Sequence, residues 1–550
     1  MAIQTRRDSP RRITDLWNRP IEWVQGRILR LLDWFNYERW TTLFTVSAAV
    51  LANLIILFFF LQEQDNRAIA FTIVLFVAIL SIFVVEVAVT AFIVIGTQLF
   101  VNALYYAAPG VGTGAYTSQI LLLLIVSGRA IYEYLRLSPA ERPRLFTWLT
   151  GAVLLFWGYY MVIVVYHYIF YYDALLEYNP EFFLGIRQPG ILRYMDGFQL
   201  WIGVLPLIIL LRNWERARRV LIALGIIMIL GVGSIVWEYF SPLPMFFKVM
   251  FQLQAAGETT EGYRIRDPVS LYLGLVGFFF AVYGLGYLRG KWSVFALLYI
   301  GVTLLALFIT KNRILWVGVF GFLPFALLLK SPIALVRQLQ VMTAAGLLLA
   351  SLMLHPAVYD ATSRAITEAV ERWNRTFTYG GDPRLDPAYQ PRLRELEAWQ
   401  HYFAKTTIAQ RLFGSGLAQP YGYYVKVAEY GYAAFEGRRV YAQKTQLHFQ
   451  FYNRIHRIGI VGSVLLHLTL LVFFIRAAIL FMQVRSFYLR GMIVGIVGAT
   501  IGAIAYDSLH GLLHRAEFVP IVLLWSVLEA IPHWQRTNQL TDLEPTMTTT

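Results

Sequence analysis

The run Ile458-Gly-Ile-Val-Gly-Ser-Val-Leu-Leu-His-Leu-Thr-Leu-Leu-Val-Phe-Phe-Ile475 contains no Asp, Glu, Lys or Arg, and the next residue is Arg476. A bilayer core is crossed by about 20 apolar residues in helical form. The run therefore predicts a membrane span that empties into the basic stretch Arg476–Arg490. The same pattern recurs in both directions. Towards the C-terminus it gives Gly491–Tyr506 and Val519–Ile531. Towards the N-terminus it gives Leu335–Leu354, Ile314–Leu329, Trp292–Ile309, Leu271–Leu288, Val220–Tyr239, Leu192–Leu211, Leu145–Phe170, Gln119–Leu135 and Thr41–Leu61. Ala68–Ala108 is too long for one crossing and reads as a tight hairpin turning near Glu86.

The expected fold is thus an all-α polytopic membrane protein of about 14 transmembrane helices, by the 20-residue criterion. Composition agrees. Hydrophobic residues make up 58% of the 550 positions and charged ones 15%, at a mean hydropathy of +0.55. A single water-soluble globule cannot bury that much apolar surface, and a disordered chain would not carry it. The 15 Trp, 33 Tyr and 39 Phe suit long membrane–water rims. Cysteine is absent, which excludes disulfides, thiolate metal sites and a Cys nucleophile. The net charge of +14 points to anionic lipid or anionic substrate. The basic residues sit in short clusters between apolar runs, so no nucleic-acid partner is expected.

Lys and Arg collect in cytoplasmic loops. Arg136–Arg144, Arg212–Arg219, Arg289–Lys291, Lys330–Arg337 and Arg476–Arg490 are all basic, whereas Gln62–Arg67 and Ala108–Ser118 carry little positive charge. Both termini are then cytoplasmic. Residues 1–40 read as a cytoplasmic segment rather than a signal peptide. Within them, Ile13–Phe35 is either a basic amphipathic helix on the membrane face or an ordinary stretch before the first span. Residues 41–354 form a bundle of about 11 spans and residues 448–532 a bundle of about 3. Residues 355–447 form one large extracytoplasmic loop, with helix-like spacing over Ser363–Trp373 and Arg392–Ala409. Residues 533–550 read as a disordered cytoplasmic tail.

Three places on the outer face carry chemistry. Lys311 and Arg313 stand in the tight turn Thr310-Lys-Asn-Arg313, where cations either anchor a helix end or meet an anion. The outer loop holds a set of arginines that includes Arg392, Arg394 and Arg411, partly offset by acids that include Glu395. His448 lies where the loop re-enters the membrane. Imidazole is suited to proton transfer near neutral pH, although a lone interfacial His is more often structural. On a continuous helix His448, Tyr452 and Ile455 would share a face with Gly459 and Gly462. The glycines would admit a neighbouring helix and bring His448 near Arg313. His456 is a weaker rival.

These residues resemble the O-antigen ligase and O-antigen polymerase family of bacterial envelope enzymes. The likeness covers about Leu304–Leu470. It rests on Asn312-Arg313 before a span, then Arg394 and Trp399, then Leu412-Phe-Gly-Ser-Gly-Leu417, then His448 with Gly459 and Gly462. Arg392 competes with Arg394 for the family's arginine position.

The resemblance implies a GT-C-like, inverting glycosyltransferase of the bacterial cytoplasmic (inner) membrane. It would need no metal and no cofactor and would act on the extracytoplasmic side in surface polysaccharide or lipopolysaccharide assembly. The donor would be an undecaprenyl-diphosphate-linked glycan and the acceptor a hydroxyl on a glycan or lipid-linked chain. Chain-length regulators and other envelope-assembly proteins would be partners. On this reading His448 is the catalytic base, and Arg313, Arg394, Arg411 and Lys311 bind the diphosphate. A protein O-oligosaccharyltransferase of the same family is an alternative. The rival class is a transporter or flippase for a lipid-linked substrate, which would use Glu86 and Arg129 within the membrane.

Overall fold

The computed structural model describes residues 79–95, 114–139, 141–178, 197–240, 254–259, 262–266, 268–310, 313–352, 390–416, 421–426, 439–444, 447–510 and 518–540, with the single positions 359, 363, 367, 370, 374 and 513. The expected helix over Ile13–Phe35, the span Thr41–Leu61, most of the Ala68–Ala108 hairpin, nearly all of Ser363–Trp373, Lys311 and the end of the tail lie outside them.

The described chain is overwhelmingly helical. In order, the helices are α1 (Val85–Ile95), α2 (Gly114–Arg136), α3 (Trp148–Tyr178), α4 (Val204–Leu210, entered through a 3-10 segment at Gly197–Gly203) and α5 (Trp214–Phe240). They continue with α6 (Pro268–Gly284), α7 (Lys291–Ile309), α8 (Arg313–Leu328), α9 (Pro332–Leu352), α10 (Gln390–Ala404), α11 (Ile408–Phe413), α12 (Gln450–Gln483), α13 (Phe487–His510) and α14 (Val519–Arg536). Two small antiparallel hairpins interrupt them. β1 (Gln254–Thr259) pairs with β2 (Gly262–Arg266), and β3 (Tyr421–Lys426) pairs with β4 (Arg439–Lys444).

Among the described residues, Trp148–Phe170, Lys291–Ile309, Gln450–Gln483 and Phe487–Ser508 are long and apolar enough to cross a membrane, and four shorter apolar helices accompany them. The surface of α12 shows why lipid is the fitting solvent. Val464, Leu468, Leu471, Ile475, Ile479 and Met482 recur every three or four residues and are all exposed. Such an apolar stripe is a liability in water and the natural boundary with hydrocarbon. The opposite face buries Leu466, Leu470, Phe473, Ala477 and Leu480. This is a helical membrane protein.

One expectation needs correcting here. The stretch from Arg476 is not a loop at its start, since α12 runs on to Gln483. Arg476 is tolerated inside the helix because Glu529 of α14 meets it at 2.8 and 3.1 Å. α14 itself is sealed inside the bundle, with every residue from Val519 to Ile531 buried. Its Trp525 stacks on Phe473 at 4.4 Å and meets Trp201 edge-on at 5.7 Å. A helix apolar on all sides belongs in such a core.

The basic stretches gather at one end of the bundle. Arg212 and Arg216 reach Glu133 at 2.6 and 2.9 Å, and Arg129 joins it at 3.3 Å. Arg219 lies 3.5 Å from Glu86. Trp534 donates to the Leu211 carbonyl at 2.9 Å and Arg536 to the Arg142 carbonyl at 3.2 Å. Tyr287 stacks on Phe487, and its hydroxyl accepts from the Ser331 N–H at 3.2 Å. The pair Arg476–Glu529 ties the two groups together. α12 rises away from this end for 34 residues, so His448 stands at the opposite end, on the order of 50 Å away along the helix.

Candidate functional site

The site is assembled where α10, α11 and the start of α12 meet. α10 is amphipathic. Glu395, Trp399 and Tyr402 follow at intervals of four and three and share one face. Trp399 is buried, stacks on Phe403 at 4.8 Å and touches the Tyr452 ring at 5.1 Å. Leu447 is buried in the same small core, against which Tyr452 and Ile455 pack. Burial raises the Tyr402 hydroxyl above its ordinary value, partly offset by its hydrogen bond with Ser415. It therefore stays protonated at neutral pH.

The chain entering α12 is pinned by side chains. The Leu447 N–H donates to Asn453 Oδ1 at 3.1 Å, Asn453 Nδ2 donates to Gln450 Oε1 at 2.8 Å, and Gln450 Nε2 returns to the Leu447 carbonyl at 2.6 Å. This fixes His448 two residues before the helix starts. Its Nδ1 lies 2.7 Å from Glu395 Oε2, and its backbone N–H points at the same oxygen at 3.4 Å. The Glu395 side chain is 1% exposed and the imidazole 43%. A buried carboxylate acting as acceptor holds the proton on Nδ1 and leaves Nε2, on the open side, with its lone pair.

A second contact locks the site onto the bundle. α12 is broken at Gly459, with φ 73° and ψ 176°, a conformation reserved for glycine. A Cβ there would lie 2.1 Å from the Leu412 carbonyl oxygen. The break frees carbonyls of the preceding turn, and buried carbonyls need partners. The Ile458 carbonyl accepts from the Tyr159 hydroxyl of α3 at 2.7 Å, and the His456 carbonyl from the Ser415 N–H at 2.7 Å. The turn Gly414-Ser-Gly416 thus docks on the α12 kink. His167 of α3 closes it from behind, its Nε2 3.3 Å from the Gly414 carbonyl.

His448 is therefore not on a continuous helical face with Gly459 and Gly462. Nor do these glycines admit the helix of Arg313. Gly459 receives the Leu412–Gly414 backbone and Gly462 receives Tyr159. α8 packs instead on α13, with Gly318 against Gly502 and Ala505. That contact still sets the start of α8, Arg313, at the His448 end, because Asp507 near the end of α13 pairs with Arg454 of α12. The Arg313 side chain and Lys311 are outside the described residues.

Arg394 is half-buried on α10 beside Glu395, while Arg392 sits three residues before Glu395, closer to the face turned towards His448. Arg411 has another task. Its Nη2 donates to the Ala404 carbonyl at the end of α10 (2.9 Å), and its guanidinium lies 5.4 Å from the Phe403 ring centre. It stands at the far end of the Phe403–Trp399–Tyr452 stack from His448. His456 is 1% exposed beneath Tyr402 and unsuited to meet a substrate.

Sequence reasoning missed Glu395, read only as a charge offsetting the arginines. The signal was its four-residue spacing from Trp399. Arg454–Asp507 was missed too, because its two ends lie far apart in the chain. No group of three metal-ligating side chains occurs among the described residues. Compared with known protein families, curated proteins and solved structures, the chain matches none.

Proposed function

We propose that this protein is a membrane glycosyltransferase of the O-antigen ligase and polymerase type, with about 14 spans by the 20-residue criterion and both termini in the cytoplasm. It transfers a glycan from an undecaprenyl-diphosphate carrier to an acceptor hydroxyl at the outer face of the bacterial cytoplasmic membrane. The observation that carries this reading is the half-exposed His448 ring held at 2.7 Å by the buried Glu395. His448 Nε2 takes the acceptor proton as the acceptor oxygen bonds to the anomeric carbon. The carbon–oxygen bond to the diphosphate breaks, and the diphosphate leaves with the electron pair. Arg394 or Arg392, with Arg313 and Lys311, balance its charge. Arg411 serves by holding α10.

Two further observations support the reading. Two motifs behind the family resemblance, Phe413-Gly-Ser-Gly416 and the first glycine after His448, Gly459, touch one another. The end of the bundle opposite His448 carries the basic loops, which the charge rule puts in the cytoplasm. The transport reading loses its candidates, because Glu86 and Arg129 are engaged in ion pairs with or beside the Arg212–Arg219 stretch.

The test is complementation of a strain lacking the protein, with carrier-linked and surface glycans analysed together. Capped carrier-linked chains mark a missing ligase and single repeats a missing polymerase. His448→Ala lowers transfer about 10²–10⁴-fold at normal membrane levels. Glu395→Gln lowers it roughly ten- to a hundredfold, because the ring loses the partner that fixes its tautomer. Near-normal transfer by a well-folded His448→Ala protein refutes the base role. Purified protein that moves labelled lipid-linked sugar without forming a glycosidic bond establishes transport instead.

A further inference from the structure

Between α5, α6, α7 and α13 lies a cavity of about 340 Å³, far from His448. Its size falls within the range of about 300–1,000 Å³ typical of ligand sites. Its walls are Gly225, Met228, Phe280, Ala281 and Ala296, with Tyr299 at the inner end. Tyr299 is buried and spends its hydroxyl on the Gly274 carbonyl at 2.9 Å. A polar ligand would find no partner in such walls, and water does not fill an apolar cavity.

The mouth is different. Trp292, Phe295 and Tyr488 border the cavity and are 59%, 48% and 40% exposed. Exposed Trp and Tyr at one level mark head-group depth in a membrane protein. Leu288 and Trp292 of the lining flank Arg289 and Lys291, which are both exposed. Lys291 Nζ sits 5.8 Å from the Trp292 ring centre. Exposed Arg485 stands three residues before Tyr488, in the link between α12 and α13. An apolar slot, an aromatic rim and a cluster of cations follow one another outward, at the end where the basic loops gather.

We infer that this cavity binds one acyl chain of an anionic glycerophospholipid, whose phosphate lies against Arg289 and Lys291. The occupant follows from the order of the surfaces. Hydrocarbon fits the slot, the glycerol backbone comes level with Trp292 and Tyr488, and the negative head group meets Arg289 and Lys291, which neighbour the lining residues Leu288 and Trp292. The site does not depend on the proposed glycosyltransferase chemistry.

Gly225 offers a clean test, since a Cβ there meets nothing within 4 Å. Gly225→Leu fills the slot without displacing its neighbours, and Gly225→Ala leaves most of it open. The experiment is native mass spectrometry of the full chain in detergent, with phosphatidylglycerol or phosphatidylcholine added in equal amounts. The wild-type chain retains one phosphatidylglycerol at activation energies that strip phosphatidylcholine. Gly225→Ala keeps it and Gly225→Leu loses it. Arg289→Gln combined with Lys291→Gln still retains a lipid, with its preference for phosphatidylglycerol reduced roughly tenfold or more. Should Gly225→Leu fail to fold, Ala296→Leu fills the same slot from α7. Equal retention of the two lipids by the wild-type chain overturns the proposal. So does undiminished phosphatidylglycerol on a folded, slot-filled variant.

Discussion

The two ends of the bundle use the same residue types to different effect. At the basic end one carboxylate gathers several cations. Glu133 takes Arg129, Arg212 and Arg216, and Glu529 takes both forks of Arg476. At the other end Glu395 is committed to one imidazole, and besides the buried Arg454–Asp507 pair the fastening falls to backbone, with Gly414 and Gly459 in contact. The charge-rich end thus fastens its helices through ion pairs while staying net positive, which suits an anchor. The glycine-rich end leaves a titratable ring half open, which suits chemistry. An end built on ion pairs should yield to the loss of one carboxylate, and an end built on backbone contact to the addition of one methyl group.

Gly459→Ala should have the largest effect, about 3–5 kcal/mol, from a forbidden backbone conformation together with overpacking against Leu412. Hydrogen exchange should rise over residues 408–416 and 450–459 and stay low around Glu133. Uniform loosening of both ends would erase the distinction between them. Glu133→Gln should cost about 2 kcal/mol, because three partly buried guanidiniums lose their counter-charge. Here exchange should rise at the basic end while glycan transfer by the folded fraction persists. An unchanged melting temperature would mean that the cluster holds nothing.

The third and smallest effect is pH-dependent. Lys330 is buried beside the Val282 carbonyl and Gln338, and burial pulls its amine from the ordinary 10.5 to about 7. The folded state thus binds fewer protons than the unfolded one between those values. Its stability climbs as pH rises from 7 to 10.5, with the full penalty present below 7. Lys330→Met should flatten that slope and add about 1–2 kcal/mol at neutral pH. Parallel melting curves for the two proteins across this range would show that the amine stays charged.

How much of this was legible from the sequence follows the range of each interaction. The basic loops were readable because each is a contiguous cluster, and their shared end of the bundle follows from charge alone. The continuation of α12 past Arg476 was not, since it depends on a carboxylate in α14. His448 stood out as chemistry. Its setting did not, because the break at Gly459 is imposed by Leu412 and Gly414, far away in sequence. Glu395 was visible as a charge but not as a partner. Only the burial of Trp399 turns that face of α10 inward.

The sealed position of α14 has a consequence for biogenesis. Every helix it packs against, including α1, α4, α6, α12 and α13, precedes it in the chain. While the ribosome is still upstream of Val519, a slot walled by Trp201 and Phe473 stands vacant in the nascent bundle. Arrival of α14 then acts as a keystone, because it also brings Glu529, the carboxylate that Arg476 meets inside the bundle.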